Sequence, residues 1–578
     1  MRLSRREALV MGAAALAWPA RGATQGPCPS PEAIDAACAP LVALLPEAAT
    51  RAGVADRHAL ALLDDQSTDG DAALALATAA ALAAIPQSCV WDAASIARAP
   101  LAAADATRNL RYGRNDPTAA IHRPYRITGF AGPHIETPRL LALVQPADTP
   151  EAAEAWLARL DGHADALMRA AESLRADEAA GCLPPVAVGR GALATLDAIA
   201  ATTPGANPLV RFLADPAVAA RAREILARRV KPAAALLRDT VAALTRRGVE
   251  DQGVWRQPGG EALHAANLAR AGDTGLSTEA AQGYARDEVT RIAALLDRRL
   301  AVRGFRDGSI DARIAAAFAD RPAFVAGDDE EGRSALVSAA RGRIEAAHAV
   351  LGRIVPPALA ATPPLGVAPL PDAGRMWPAG SSYGRAAYGR EATLWLDVRS
   401  VYALPIPGVS PLACRLGLPG EHLLASASDT AVRPLLAKLC AWPAITAGWR
   451  GYAARLSAEA GLFARDPWGD IARLADELAA AARLVVDVGI HQQRWTRERA
   501  EAEMTAMTGA PQAAAIDRIV ALPGEAAAET LGLHRLLSLR EQARGTAKHA
   551  DTRAFHQAVL SGGARPFALI ERDIAMLA

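Results

Sequence analysis

Across 578 residues, 63 Lys and Arg stand against 62 Asp and Glu, leaving a formal net charge of +1 and no electrostatic ground for a nucleic acid or an anionic membrane surface as partner. Hydrophobic residues make up 51% and aromatics only 4%, with alanine-rich runs throughout, which favours an all-α body packed by small and aliphatic side chains. The length allows several cores within one continuous unit.

The chain opens on Ser4-Arg5-Arg6-Glu7-Ala8-Leu9 and a short apolar run from Val10 to Trp18, which reads as a twin-arginine export signal over residues 1–23. Small residues at Ala20 and Gly22 suit a signal peptidase. A periplasmic product is expected, with no membrane span after signal removal, because no later run approaches the roughly 18 uncharged residues a span requires. Residues 24–578 are expected to form a single helical domain, with an N-terminal lobe of about 24–250 and a C-terminal lobe of about 251–578.

Apolar spacing predicts short helices over Pro31–Leu45 and Asp71–Ala84. A long non-periodic stretch follows, containing Asn115-Asp116-Pro117 and Gly132-Pro133-His134. From Thr149 to Ala179 the pattern is helical, with Trp156, Leu157, Leu160, Leu167 and Leu174 on one side, until Leu183-Pro184-Pro185 breaks it. Further helices are predicted from about Ala219 to Arg247, Gly260 to Arg270, and Thr278 to Arg303, the last capped near Ser277. Residues 355–412 differ, being rich in Pro and Gly and holding the alternating segment Thr393-Leu394-Trp395-Leu396-Asp397-Val398. A small β element near residues 380–405 is expected there, as an edge strand where a peptide backbone could pair. Helices resume at Glu421, so the class is mainly α.

Six cysteines, at 28, 38, 89, 182, 414 and 440, allow one or two disulfides in an oxidising compartment. Cys28 and Cys38 are near enough in sequence to clip the N-terminus, and Cys414 and Cys440 bracket the motif discussed next. Buried free thiols are the other reading.

The segment Arg415-Leu416-Gly417-Leu418-Pro419-Gly420-Glu421-His422 has the frame of an HExxPGHH signature. On that segment the chain resembles the bacterial "domain of unknown function 885" family, whose members look like helical zinc-dependent peptidases. Further blocks carry the likeness: Gly253–Ile292 with its Pro258-Gly259-Gly260 turn, Ala482–Met504 (ARLVVDVGIHQQRWTRERAEAEM), Ile519–Ala543, Arg553–Glu571, and upstream FAGPHIETPRLL from Phe130. The resemblance implies a large helical metallopeptidase-like body. In the family the first His and Glu of the signature would serve as metal ligand and general base, and zinc would be the cofactor.

This chain departs from the family where that chemistry would sit. Arg415 and Leu416 replace the His and Glu, and neither a guanidinium nor a Leu can donate a lone pair to zinc or take a proton from water. Ala447 stands where the family's AFxEGW has its Glu. Glu529-Thr530 replace a Tyr-Lys pair in the family's WPGQALAYK. No two of the 11 histidines are four residues apart, so HExxH is absent, as are GxSxG, P-loop and GxGxxG patterns.

Two function classes follow. The first is a periplasmic peptidase-like protein that has lost zinc-dependent hydrolysis, holds no metal, and binds peptides or a protein partner. Arg415, Tyr388 and Arg390 are then the candidate ligand-binding residues, with Arg415 either anchoring a ligand carboxylate or pairing with Glu421 or another nearby carboxylate. The alternative is an active hydrolase with a centre rebuilt around Glu421, His422 and His491. Against it, Glu421 and His422 are adjacent and point about 100° apart on a helix, and both histidines are equally readable as hydrogen-bonded interior residues.

Overall fold

The computed structural model describes residues 28–89, 92–211, 213–250, 252–319, 327–546 and 551–577. The segment 1–23, expected to be an export signal, lies outside them. The fold is mainly α with one small sheet, and among the described residues no helix is long and apolar enough to cross a membrane.

The helices form where capping and apolar spacing agree. Thr149 accepts from the Ala152 N–H and starts the helix Pro150–Ala179, whose Trp156, Leu157, Leu160, Leu167 and Leu174 are all buried. Ser277 caps Thr278–Ala301 in the same way. The stretch expected as one helix from 219 to 247 is Pro216–Ile225 and Lys231–Arg247 joined by a π-helical turn at Leu226–Val230. Pro232 accounts for it, since its ring and missing N–H disturb the helical ladder in the preceding turn. Helix also begins earlier than expected after the Pro-rich region, at Ile406–Leu416, because Pro407 occupies the first turn, where no N–H is required.

The sheet has strands β1 (Leu365–Pro369), β2 (Ser382–Gly384) and β3 (Ala392–Leu396) in the order β1-β3-β2. It begins upstream of the expected position. β1 runs parallel to β3, Leu365 opposite Ala392, and β2 runs antiparallel to it, Ser382 opposite Trp395. The segment expected at the edge is therefore the central strand. Its alternation sends Ala392, Leu394 and Leu396 into the interior, where the two leucines join the largest apolar cluster with the helices Glu330–Ile354 and Ile406–Leu416. β1 and β2 are the edges, a role that the three residues of β2, in a glycine-rich loop, did not advertise.

The closest helix pair is Pro443–Glu459 against Ala527–Thr546. Gly448 and Gly532 meet at their backbones: a Cβ on Gly532 would lie 2.0 Å from the Ala444 carbonyl oxygen, and one on Gly448 would lie 2.4 Å from the Gly532 carbonyl carbon. Apolar clusters elsewhere draw on both halves of the chain, as where Tyr112, Tyr125 and Val188 pack with Leu263, Val485 and Leu531. The single disulfide among the described residues joins Cys28 to Cys89, not to Cys38, while Cys38, Cys182, Cys414 and Cys440 are buried free thiols. Residues 61 apart in sequence are thus tied where proximity in sequence had suggested a shorter clip.

Gly532→Ala is expected to destabilise the protein by about 3 kcal/mol, because the new methyl group meets rigid backbone and forces the helices apart. Urea unfolding of the variant checks this. An unchanged midpoint would mean that the crossing tolerates separation.

Candidate functional site

The Ile406–Leu416 helix carries Arg415 in its last turn, and the chain then reverses through Gly417, a cis Leu418–Pro419 bond and Gly420 into the helix Glu421–Thr430. Only glycine fits at 420, since a Cβ there would lie 2.0 Å from the Arg415 carbonyl oxygen. Trp449, fully buried on Pro443–Glu459, donates its indole N–H to the carbonyls of Pro419 and Gly420 at 3.0 and 3.1 Å. The retained Pro-Gly turn is thus bolted to the helix that bears Ala447 and Arg450.

Arg415 and Glu421 each pair off within this scaffold. Arg415 Nη1 lies 2.7 Å from Glu529 Oε1, with each side chain 16% exposed. Arg483, on the helix Pro467–His491, approaches the other oxygen of Glu529 at 3.9 Å. Glu421 takes Arg450 Nε and Nη2 at 2.8 and 2.6 Å. Burial alone would raise the Glu529 carboxyl, but Arg415, helped by Arg483 and Arg450, outweighs it and holds the group below its ordinary value. Burial would likewise lower the Arg415 guanidinium, and Glu529 reverses the shift. Both groups are held charged.

His422 and His491 do not meet at this site. His422 hydrogen-bonds Tyr383 OH through Nδ1 at 3.0 Å and the Pro363 carbonyl through Nε2 at 2.9 Å. His491 accepts the Val254 N–H on Nδ1 at 3.0 Å and faces the Ile519 carbonyl with Nε2, also at 3.0 Å. Both nitrogens of each ring are therefore engaged, and the bonds to carbonyls fix the Nε2–H tautomer. Burial pushes the His491 imidazole down to about 4 and lowers that of His422. Neither ring lines the neighbouring cavity, whereas Glu421 does.

That cavity, about 1010 Å³, lies between the Pro-Gly motif, β2 and the N-terminal helices. Ser382, Tyr383 and Gly384 of β2 border it, together with Trp395, Trp442, Leu424 and Ala447. Its carboxylates are engaged internally. Besides Glu421 and Glu529, Glu136 binds Arg123 at 2.8 Å, Glu525 binds Arg518 at 2.8 and 2.9 Å, and Asp116 accepts the Thr118 N–H and hydroxyl at 2.7 Å. Among the described residues no group of three or more His, Cys, Asp and Glu side chains is placed to hold a metal ion.

Two other expected ligand contacts lie away from the cavity. Tyr388, with φ of 51°, points its hydroxyl at the Thr50 carbonyl at 3.3 Å, and Arg390 sits in the tight turn bridged to Ala387. Sequence reasoning missed Arg450 and Arg483, and also Arg139, Arg51 and Lys438 on the opposite elements. One signal was available: two departures of opposite charge, Arg415 and Glu529, in separate family motifs.

The family described as "Bacterial protein of unknown function (DUF885)" matches residues 46–574, and the chain belongs to that family. Among solved structures it is similar to one described as a "putative lipoprotein" from Colwellia psychrerythraea, at 25% identity and a TM-score of 0.88, covering 94% of this chain and 98% of that one. A lipoprotein of unknown function from Shewanella oneidensis, described with the same qualifier, shares the fold at 17% identity and a TM-score of 0.65, covering 95% and 100%. None of the curated proteins matches the chain.

Breaking the Arg415–Glu529 pair should cost more than removing it. Arg415→Met leaves Glu529 with only the more distant Arg483 and Arg450, and Glu529→Gln leaves a largely buried guanidinium without its nearest counter-charge, so each is expected to lose about 2 kcal/mol. The double variant should lose less than the sum of the two. Denaturant unfolding at pH 7.5 measures the cycle, and strict additivity would refute the coupling.

Proposed function

We propose that this member of the DUF885 family is an exported binding protein that holds an extended peptide in its cleft without zinc-dependent hydrolysis. The observation that carries the reading is the cross-pairing of Arg415 with Glu529 and of Glu421 with Arg450. Zinc hydrolysis needs neutral imidazoles or free carboxylates converging on the ion and a base beside the bound water. Here the ligand position is a cation, the base position is Leu416, the expected third ligand is Ala447, and the carboxylate that remains is already bound to an arginine. This donor set does not fit zinc. The free edge of β2 on the cavity supports a peptide ligand, since an extended chain can add to such an edge through its backbone. A hydrolase rebuilt around Glu421, His422 and His491 has less in its favour, because both ring nitrogens of each imidazole are already hydrogen-bonded and neither ring lines the cavity.

Elemental analysis of the purified mature protein is expected to find no stoichiometric zinc, and a panel of unstructured peptides at millimolar concentration is expected to raise the melting temperature without being cleaved. One tightly held zinc per chain, lost on His422→Ala, would overturn the metal-free reading. Peptide cleavage that survives a chelator would favour the rebuilt hydrolase.

The proposed location is the periplasm. The Cys28–Cys89 disulfide supports an oxidising compartment, and it engages the thiol of Cys28. Changing Arg5 and Arg6 to Lys is expected to leave precursor in the cytoplasm with an unaltered fold. Unchanged periplasmic recovery on fractionation would instead identify a general secretory signal.

A further inference from the structure

Resting on the reading of the cleft as a peptide site, we propose that it selects peptides bearing carboxylates, recognised by Arg51, Arg139 and Lys438 on one wall, with Arg483 in the same cavity. The argument begins with the imbalance of pairing. Every carboxylate facing the cavity has a close internal partner, whereas Arg139 and Lys438 make no ion pair, Arg51 stands only near Glu136, which Arg123 already holds, and Arg483 shares Glu529 with Arg415. Among the described residues Arg51 and Lys438 make no ion pair or side-chain hydrogen bond. Arg139 reaches only the Ser382 hydroxyl, at a long 3.5 Å, and lies over the face of Trp377 at 5.9 Å. Arg483 stands 3.9 Å from a carboxylate that Arg415 already holds at 2.7 Å.

These cations are positioned by secondary structure rather than by flexible loops. Arg51 ends the helix Pro46–Arg51, which touches both the helix Pro133–Leu143 bearing Arg139 and the helix Leu435–Leu439 bearing Lys438. Three helix faces thus converge on one wall. Arg139 is half-buried, and burial together with the like charge of Arg399 lowers its guanidinium, with Asp397 and Glu136 only partly offsetting them. A cluster of unpaired cations in a concave, partly apolar site focuses positive potential, and an incoming carboxylate relieves the mutual repulsion.

Geometry supplies the peptide part. Ser382, the residue Arg139 approaches, is the first residue of β2. A segment added along β2 therefore brings its backbone to the strand and a charged group at its end or on its alternate side chains to Arg139. The carboxylate belongs either to acidic side chains or to the peptide's C-terminus, and the chemistry that binds it is the same.

The test is fluorescence polarisation on the full mature protein with amino-terminally labelled heptapeptides of alternating sequence carrying Glu, Gln or Lys at the charged positions, each as free acid and as C-terminal amide. The Glu free acid is expected to bind at least about tenfold tighter than the Gln amide, with the gap narrowing as salt is raised from roughly 50 to 300 mM. The Gln free acid assigns the terminus and the Glu amide assigns the side chains. Arg139→Gln combined with Lys438→Gln is expected to narrow the gap between the Glu free acid and the Gln amide with the melting temperature unchanged, and an undiminished gap overturns the assignment to this wall. Equal affinity for Glu, Gln and Lys peptides, or tightest binding of Lys, overturns the charge selection and leaves the peptide site standing. Absence of binding by every peptide at millimolar concentration overturns both.

Discussion

Gly448 and Gly532 let two helices cross at backbone contact, and the site is organised around that crossing. Any side chain there would collide with a carbonyl or peptide carbon. From Gly448, Trp449 reaches the Pro-Gly turn with its indole N–H, while Ala447 and Arg450 face the cavity. From Gly532, Glu529 lies one turn earlier and meets Arg415. The crossing therefore sets the separation between the two ion pairs and the turn that joins Arg415 to Glu421. A wider helix pair would leave Arg415 short of Glu529.

Each pair also explains how its charges are tolerated in a largely enclosed wall. A largely buried guanidinium at 415 without Glu529 would lack its nearest counter-charge, and the carboxylate at 529 without Arg415 would lack its nearest cation. Together they satisfy each other, and the cost of desolvating both is roughly returned by their attraction. The pairs thus keep a polar cavity wall folded without making it reactive. Glu421 is the instructive case, since it lines the cavity and its oxygen is held by Arg450 at 2.6 Å.

Much of the helical frame was legible in the sequence because it depends on local signals. Thr149, Trp156 and Leu160 announce a capped amphipathic helix, and the Pro419-Gly420 turn declares itself by residue type. What was not legible depends on elements far apart in the chain. β2 carries no strand pattern of its own and becomes an edge only because β1 and β3 pair beside it. Tyr388 and Arg390 looked available in a glycine-rich loop, yet a positive φ at Tyr388 and the bridge at Ala387 turn that loop towards Thr50. The cations of the cleft come from segments as distant as Arg51 and Arg483, which no local spacing connects.

Counting charge separates structure from recognition in this cavity. Arg415 with Glu529 and Arg450 with Glu421 sum to zero, so the rebuilt motif contributes no net potential to the cleft. Arg123 with Glu136 and Arg518 with Glu525 cancel in the same way. The excess positive charge is left to cations outside the motif, chiefly Arg139, Arg51 and Lys438, with Arg483 sharing a carboxylate already engaged. The likeness to a zinc-peptidase motif therefore draws attention to residues that hold the cavity together, while the groups free to meet a ligand stand across from it on helices that the motif does not reach. Arg415, the most conspicuous substitution, is a structural partner, and affinity should follow the wall that begins at Ser382 and Arg139.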